Sequence, residues 1–122
     1  MKIKNFEELD VWKKSRTITN SIYKLTANGK FAKDWGLKDQ IQRASVSIMS
    51  NIAEGFDSSS RTEFARFLSI SRRSASEVQN QLYIALDQGY LNQDEFDSLY
   101  GELEKTRKMI TSLITYLRSQ GH

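Results

Sequence analysis

Residues Gln40 to Gly55 read QIQRASVSIMSNIAEG. Ile41, Ala44, Ile48 and Ile52, with Leu37 ahead of them, share one arc at 100° per residue, so the stretch reads as a helix with a buried stripe. Val46, Met49 and Ala53 make a second, smaller arc. Arg43, Ser47, Asn51 and Glu54, spaced 4-4-3, make a third that is polar throughout. The helix is expected from about Leu37 to Glu54, with Gly55 in the C′ role that ends many helices. So much polar material on a helix of a small domain needs a physical reason.

The rest of the chain fits around this helix. Its 122 residues suit a single domain spanning residues 1–122, and the absence of Pro permits long helices from end to end. An earlier helix is expected from about Phe6 to Thr26, where Val11, Ser15, Ile18, Ile22 and Leu25 follow 4-3-4-3 spacing. Leu9, Trp12, Arg16, Thr19 and Tyr23 lie roughly opposite that stripe. ANGKFAKDWG then breaks the period, with Asn28-Gly29 as its turn signal. Ser60-Arg61-Thr62-Glu63 reads as a capping box opening a third helix with core positions Phe64, Leu68, Ser71, Ala75, Val78, Leu82 and Leu86, ended by Gly89. The same signature at Asn92-Gln93-Asp94-Glu95 opens a fourth, along which Phe96, Leu99, Leu103, Thr106, Ile110, Leu113 and Leu117 repeat. Four helices with short connections predict an all-α, antiparallel up-down-up-down four-helix bundle.

Composition narrows the function. There is no Cys, hence no disulfide framework or thiolate metal site, and no run near the roughly 18 apolar residues of a membrane span. A cytoplasmic protein without membrane contact is expected. The formal charge of +3 divides into +6 over residues 1–73 and −3 over residues 74–122. A basic half permits contact with nucleic acid without requiring it; on charge alone an ordinary solvated surface is the better explanation.

The first two helices carry more grease than one bundle needs. Leu9, Trp12, Tyr23, Val46, Met49 and Ala53 are therefore expected at a homo-oligomer interface, since exposed apolar patches mark contact sites. The alternative is that the N-terminal arm and the 27–36 loop, with Phe31 and Trp35, cover them within one chain.

FEELDVWKKS, YKLT, WGLKDQIQRASVSIMSNIAEG, EFARFLSISRRSASEV and ALDQGYL together resemble the four-helix-bundle proteins encoded in 23S rRNA intervening sequences. That family is similar in turn to the accessory variability determinants of diversity-generating retroelements. The most specific element is Gln40-Ile41-x-Arg43-Ala44-x-x-Ser47-Ile48-x-x-Asn51-Ile52-Ala53-Glu54-Gly55. The resemblance implies a left-handed bundle, a ring-like homopentamer, a basic outer surface suited to RNA or DNA, and a protein partner such as a reverse transcriptase. One departure is Arg72-Arg73 ahead of Ser74, where relatives tend to carry a small residue.

The polar stripe Arg43, Ser47, Asn51, Glu54 is a poor catalytic constellation, having no His, no paired carboxylates and no nucleophile beside a base. It is no better as a metal cage, and no cofactor motif occurs elsewhere. A non-enzymatic role follows. Arg43 and Glu54 are expected to meet charges on a neighbouring helix or subunit, with Ser47 and Asn51 hydrogen-bonding between them; a ligand or nucleic-acid site is the alternative. His122, the last residue, reads as a frayed tail or tag remnant. Trp12 and Trp35 suit core or interface better than base stacking. Arg66 and Arg73 project from one side of the third helix, Arg61 and Arg72 lie on its flank, and Lys13, Lys14 and Lys24 decorate the first. Such rows suit phosphates, and five copies of a +3 chain carry about +15. Pairing of these Arg with Glu63 and Glu77 is the alternative. The expected function is RNA binding by a homo-oligomeric bundle, or else a structural adaptor for another protein.

Overall fold

A computed structural model describes residues 2–120, which leaves His122 outside the described residues. A 3-10 turn over Phe6–Glu8 leads into α1 (Asp10–Leu25), a short α2 (Gly29–Lys33), α3 (Trp35–Phe56), α4 (Arg61–Asp87) and α5 (Gln93–Ser119). The main packing pairs are α1–α3, α3–α4, α4–α5 and α5–α1, which puts the four long helices at the corners of a square. Thr19 of α1 and Thr26 just past its end bond Ser45 and Gln42 of α3, and Arg72 and Gln79 of α4 bond Thr111 and Glu104 of α5, so neighbours run antiparallel. The molecule is an all-α, up-down-up-down bundle.

Its core is built of the stripes that the periods pick out. Ile18, Ile22, Ile41, Ile48, Ile52, Leu68, Val78, Leu82, Leu103 and Ile110 are fully buried. The end of the bundle at the α1–α3 connection is plugged by Phe31, only 1% exposed, whose ring packs 5.1 Å from that of Tyr90. Asp34 ties this end together: one carboxylate oxygen accepts from the Leu37 N–H, capping α3, and the other accepts from the Tyr90 hydroxyl at 2.9 Å. That cap starts α3 at Trp35, two residues ahead of the Leu37 the period suggests.

Helix punctuation follows local chemistry. Asn92 and Glu95 form a complete capping box at α5. Gly89, at φ +77, closes α4 with the Tyr90 N–H on Ala85 O and the Gly89 N–H on Leu86 O, a Schellman arrangement. At α4 only half the expected box forms: Ser60 accepts from the Glu63 N–H, but the Glu63 carboxylate turns to Arg66. The first helix does not run from Phe6. Glu8 accepts from the Asn5 N–H and closes a separate turn, Leu9 is extended, and α1 begins at Asp10.

Gly55 is the main correction. It is not a left-handed terminator; it lies inside α3, buried, and α3 ends one residue later, where the Ser58 hydroxyl and N–H both bond the Gly55 carbonyl. Its role is clearance. A Cβ at Gly55 would stand 2.8 Å from Phe67 Cβ and 2.9 Å from Phe64 Cδ1 on α4. The Gly55→Ala variant therefore sets a helix-propensity gain of about 1 kcal/mol against an overpacking cost of about 1–3 kcal/mol. Urea unfolding is expected to show net destabilisation, and a variant more stable than the native chain would refute the clearance role.

Candidate nucleic-acid interface

The polar stripe of α3 faces α4. The Ser47 and Ser74 hydroxyls bond each other at 2.8 Å, and the Asn51 amide donates to Ser47 Oγ at 3.0 Å and to Ser47 O at 2.9 Å. One turn deeper, the buried Ser71 hydroxyl donates to Ile48 O at 2.7 Å. These bonds need helices close enough for serine side chains to touch, which the small residues Ala44, Ser47, Gly55, Ser71, Ser74 and Ala75 permit. The two ends of the stripe behave differently. Arg43 pairs with Asp39 of its own helix at 2.9 Å rather than with a neighbouring element. Glu54 is exposed and has no ion-pair partner among the described residues.

Apolar residues on the outer faces of α1 and α3 divide into two groups. Leu9 and Trp12 are half-buried against the bundle's own core, and Trp12 meets the Phe6 ring edge-on at 5.2 Å. Tyr23 and Val46 stay exposed, at 45% and 38%, and share a shallow groove with Gln42, Arg43 and Ser47. Met49 and Ala53, further along α3, are half-buried. The 27–36 segment does not lie over this face as one cover. Phe31 turns inward to plug the core, and Trp35 is 77% exposed.

The basic residues fall into two separate rows, because α1 and α4 stand at opposite corners of the square. On α4, Arg66 binds Glu63 through two hydrogen bonds of 3.0 and 3.1 Å and lies over the Phe67 ring. The Glu63 carboxyl is held below its ordinary range, chiefly by the Arg66 hydrogen bond. Arg73, the residue placed by sequence beside Glu77, has no ion-pair partner among the described residues, and neither has Arg61. Arg72 reaches across to the Thr111 hydroxyl on α5 at 3.1 Å. Arg118, which the sequence reading missed, joins Arg61 and Arg66 around an open cleft of about 550 Å³ with Thr62, Ser69 and Leu117 on its walls. Antiparallel pairing alone could have found it, since the end of the last helix must lie beside the start of the one before.

On α1, Lys14 is engaged with Glu102 of α5, which Lys105 also approaches at 3.3 Å. Those two ammonium groups, Lys14 first, hold the Glu102 carboxyl below its usual range. Lys13 and Lys24 are exposed without ion-pair partners among the described residues. No group of three or more His, Cys, Asp or Glu side chains among the described residues is placed to hold a metal ion. No described helix is long and apolar enough to cross a membrane.

Known proteins resemble this arrangement. The family described as 23S rRNA-intervening sequence protein matches residues 7–112. Among solved structures, a protein with unknown function from the S23 ribosomal protein family of Bacteroides thetaiotaomicron VPI-5482 superposes with a TM-score of 0.78 at 27% identity. The alignment covers 85% of this chain and 97% of that one. No curated protein matches the chain. The matched span runs from the first turn through most of α5 and takes in the α3–α4 seam with Arg61, Arg66 and Arg73, while Arg118 lies beyond it. On that footing the chain belongs to the 23S rRNA-intervening sequence protein family.

Proposed function

We propose that this bundle is a non-enzymatic, self-associating protein that holds RNA against its α4 face. The observation that carries the reading is the row formed by Arg61, Arg66 and Arg118 around one cleft, continued by Arg73 two turns further along α4. Guanidinium groups on one rigid helix face present a fixed spacing of donors to successive phosphates. The Arg66–Glu63 pair is exposed and contributes little to stability, so a phosphate can compete for the guanidinium at small cost. Arg72 borders the row, while Lys13, Lys14 and Lys24 lie on the opposite corner and would meet RNA only as part of an assembly. Membership of a family named for 23S rRNA favours RNA as the polyanion. A non-enzymatic role fits the seam: the Ser47 hydroxyl is hydrogen-bonded to Ser74 and Asn51, and neither of those groups can take its proton.

Self-association is proposed through Tyr23, Val46, Met49 and Ala53, with Leu9 and Trp12 at the margin. Tyr23 and Val46 support it, because both remain exposed on adjoining helices. A ring of five is the assembly proposed, and it would repeat the Arg row around its rim. A protein partner in place of RNA is the competing outcome.

Two measurements test these statements. The Arg66→Glu, Arg73→Glu variant should bind labelled RNA more weakly, with a log–log salt slope lower by about one to two units, and should assemble as the native chain does. Unchanged affinity would clear the row of this role. Light scattering at micromolar concentration should give a multimer for the native chain and a smaller species for Val46→Glu; a native monomer would remove the interface.

A further inference from the structure

Trp35 is the most exposed large apolar side chain among the described residues, at 77%. An exposed indole offers a large flat face whose burial is favourable. Its position is firm. Trp35 is the first residue of α3, fixed by the Asp34 cap, and Asp34 is itself held by the Tyr90 hydroxyl and by the Phe31 plug packed against Tyr90. The side chain therefore projects from a rigid corner.

The surroundings are cationic. Lys38 Nζ stands 5.5 Å from the centroid of the Trp35 ring. Lys30 and Lys33, one turn apart on α2, precede it in the chain and are both exposed. None of these three lysines has an ion-pair partner among the described residues. The two nearby carboxylates are already engaged: Asp34 accepts from Leu37 and Tyr90, and Asp39 pairs with Arg43. An exposed indole with one ammonium group 5.5 Å from its centroid, and two more uncompensated lysines just upstream on α2, matches a nucleobase flanked by its phosphates.

We infer that Trp35 with Lys30, Lys33 and Lys38 forms a stacking site for an unpaired nucleobase, separate from the arginine row. The inference rests on the nucleic-acid reading above and adds that the bound strand is single-stranded at this corner. A duplex hides its base faces and would offer Trp35 nothing to stack on. A lipid surface fits less well, because α2 is five residues long and its large apolar side chain, Phe31, is buried inside the bundle. No apolar face remains beside the indole to enter a bilayer. A second copy of the same corner would bring lysines against lysines.

The test uses the intact chain with Trp12→Phe, which leaves Trp35 as the sole indole. Oligouridylate should quench its emission on binding, and an RNA duplex of equal length should not. In the otherwise native chain, Trp35→Ala should weaken oligouridylate binding by about tenfold, the scale of one stacked base, while duplex binding stays unchanged and Trp35→Phe retains most of the affinity. Circular dichroism of each variant keeps loss of fold apart from loss of binding. RNA bound with Trp35 emission unmoved, and with Trp35→Ala equal to native, would overturn the stacking site and leave the arginine row standing. Failure of every RNA to bind at low salt would overturn both. Quenching by phosphatidylserine vesicles but not by oligouridylate would assign the corner to a membrane surface and refute the inference.

Discussion

The helices α3 and α4, of 22 and 27 residues, lie so close that a serine hydroxyl on one touches a serine hydroxyl on the other. The remaining architecture depends on that approach. It exists because Ala44, Ser47, Gly55, Ser71, Ser74 and Ala75 are small, so that at Gly55 even the Phe64 and Phe67 side chains of α4 find room. A larger apolar stripe would bury more area but force the axes apart. At close range each hydroxyl finds a partner, and a satisfied bond adds about 0.5–1.5 kcal/mol, whereas an orphaned one costs about 1–3 kcal/mol. The polar face of the QIQRASVSIMSNIAEG helix is thus the packing surface itself, and hydrogen bonds give it a register that grease alone leaves loose.

The same constraint shapes the outside. With small residues turned to the seam, long side chains are pushed to its lips, where Arg43, Arg73 and Glu77 stand on either side of shallow clefts. α4 then presents its arginines along one continuous helix. α1 makes fewer close contacts and is fastened at its edge by Lys14 to Glu102 and by Thr19 and Thr26 to α3. The basic charge of the first 73 residues is consequently divided between opposite corners and the Trp35 end. It does not form one patch on a single subunit.

How far the sequence could be read follows from what periodicity encodes. Ile41, Ile48 and Ile52 announce their burial because a 3.6-residue repeat says which face of a helix is inside. Gly89 and the Asn92–Glu95 box mark ends because their bonds are local. Gly55 misleads for the converse reason: it sits at the end of a periodic run and looks like a terminator, but its role is set by Phe64 and Phe67, which approach only in the folded bundle. Arg43 is expected to meet a charge on a neighbouring helix or subunit, yet within the chain Asp39 lies one turn away and a neighbour on the same helix wins at small entropic cost. Trp35 reads as core or interface from its apolar surroundings; its exposure rules out the core, and depends on Phe31 taking the interior place and Asp34 starting α3 early. Ser74 as the partner of Ser47 needed the register of two helices, which no single-helix pattern holds.

The measurement nearest to the central claim is a double-mutant cycle on Ser47→Ala and Ser74→Ala by denaturant unfolding. If the hydroxyl contact across α3 and α4 fixes the seam, the two substitutions couple by about 0.5–1.5 kcal/mol. Strict additivity of the two single effects would contradict the account, for it would mean that the helices keep their approach without the bond between them.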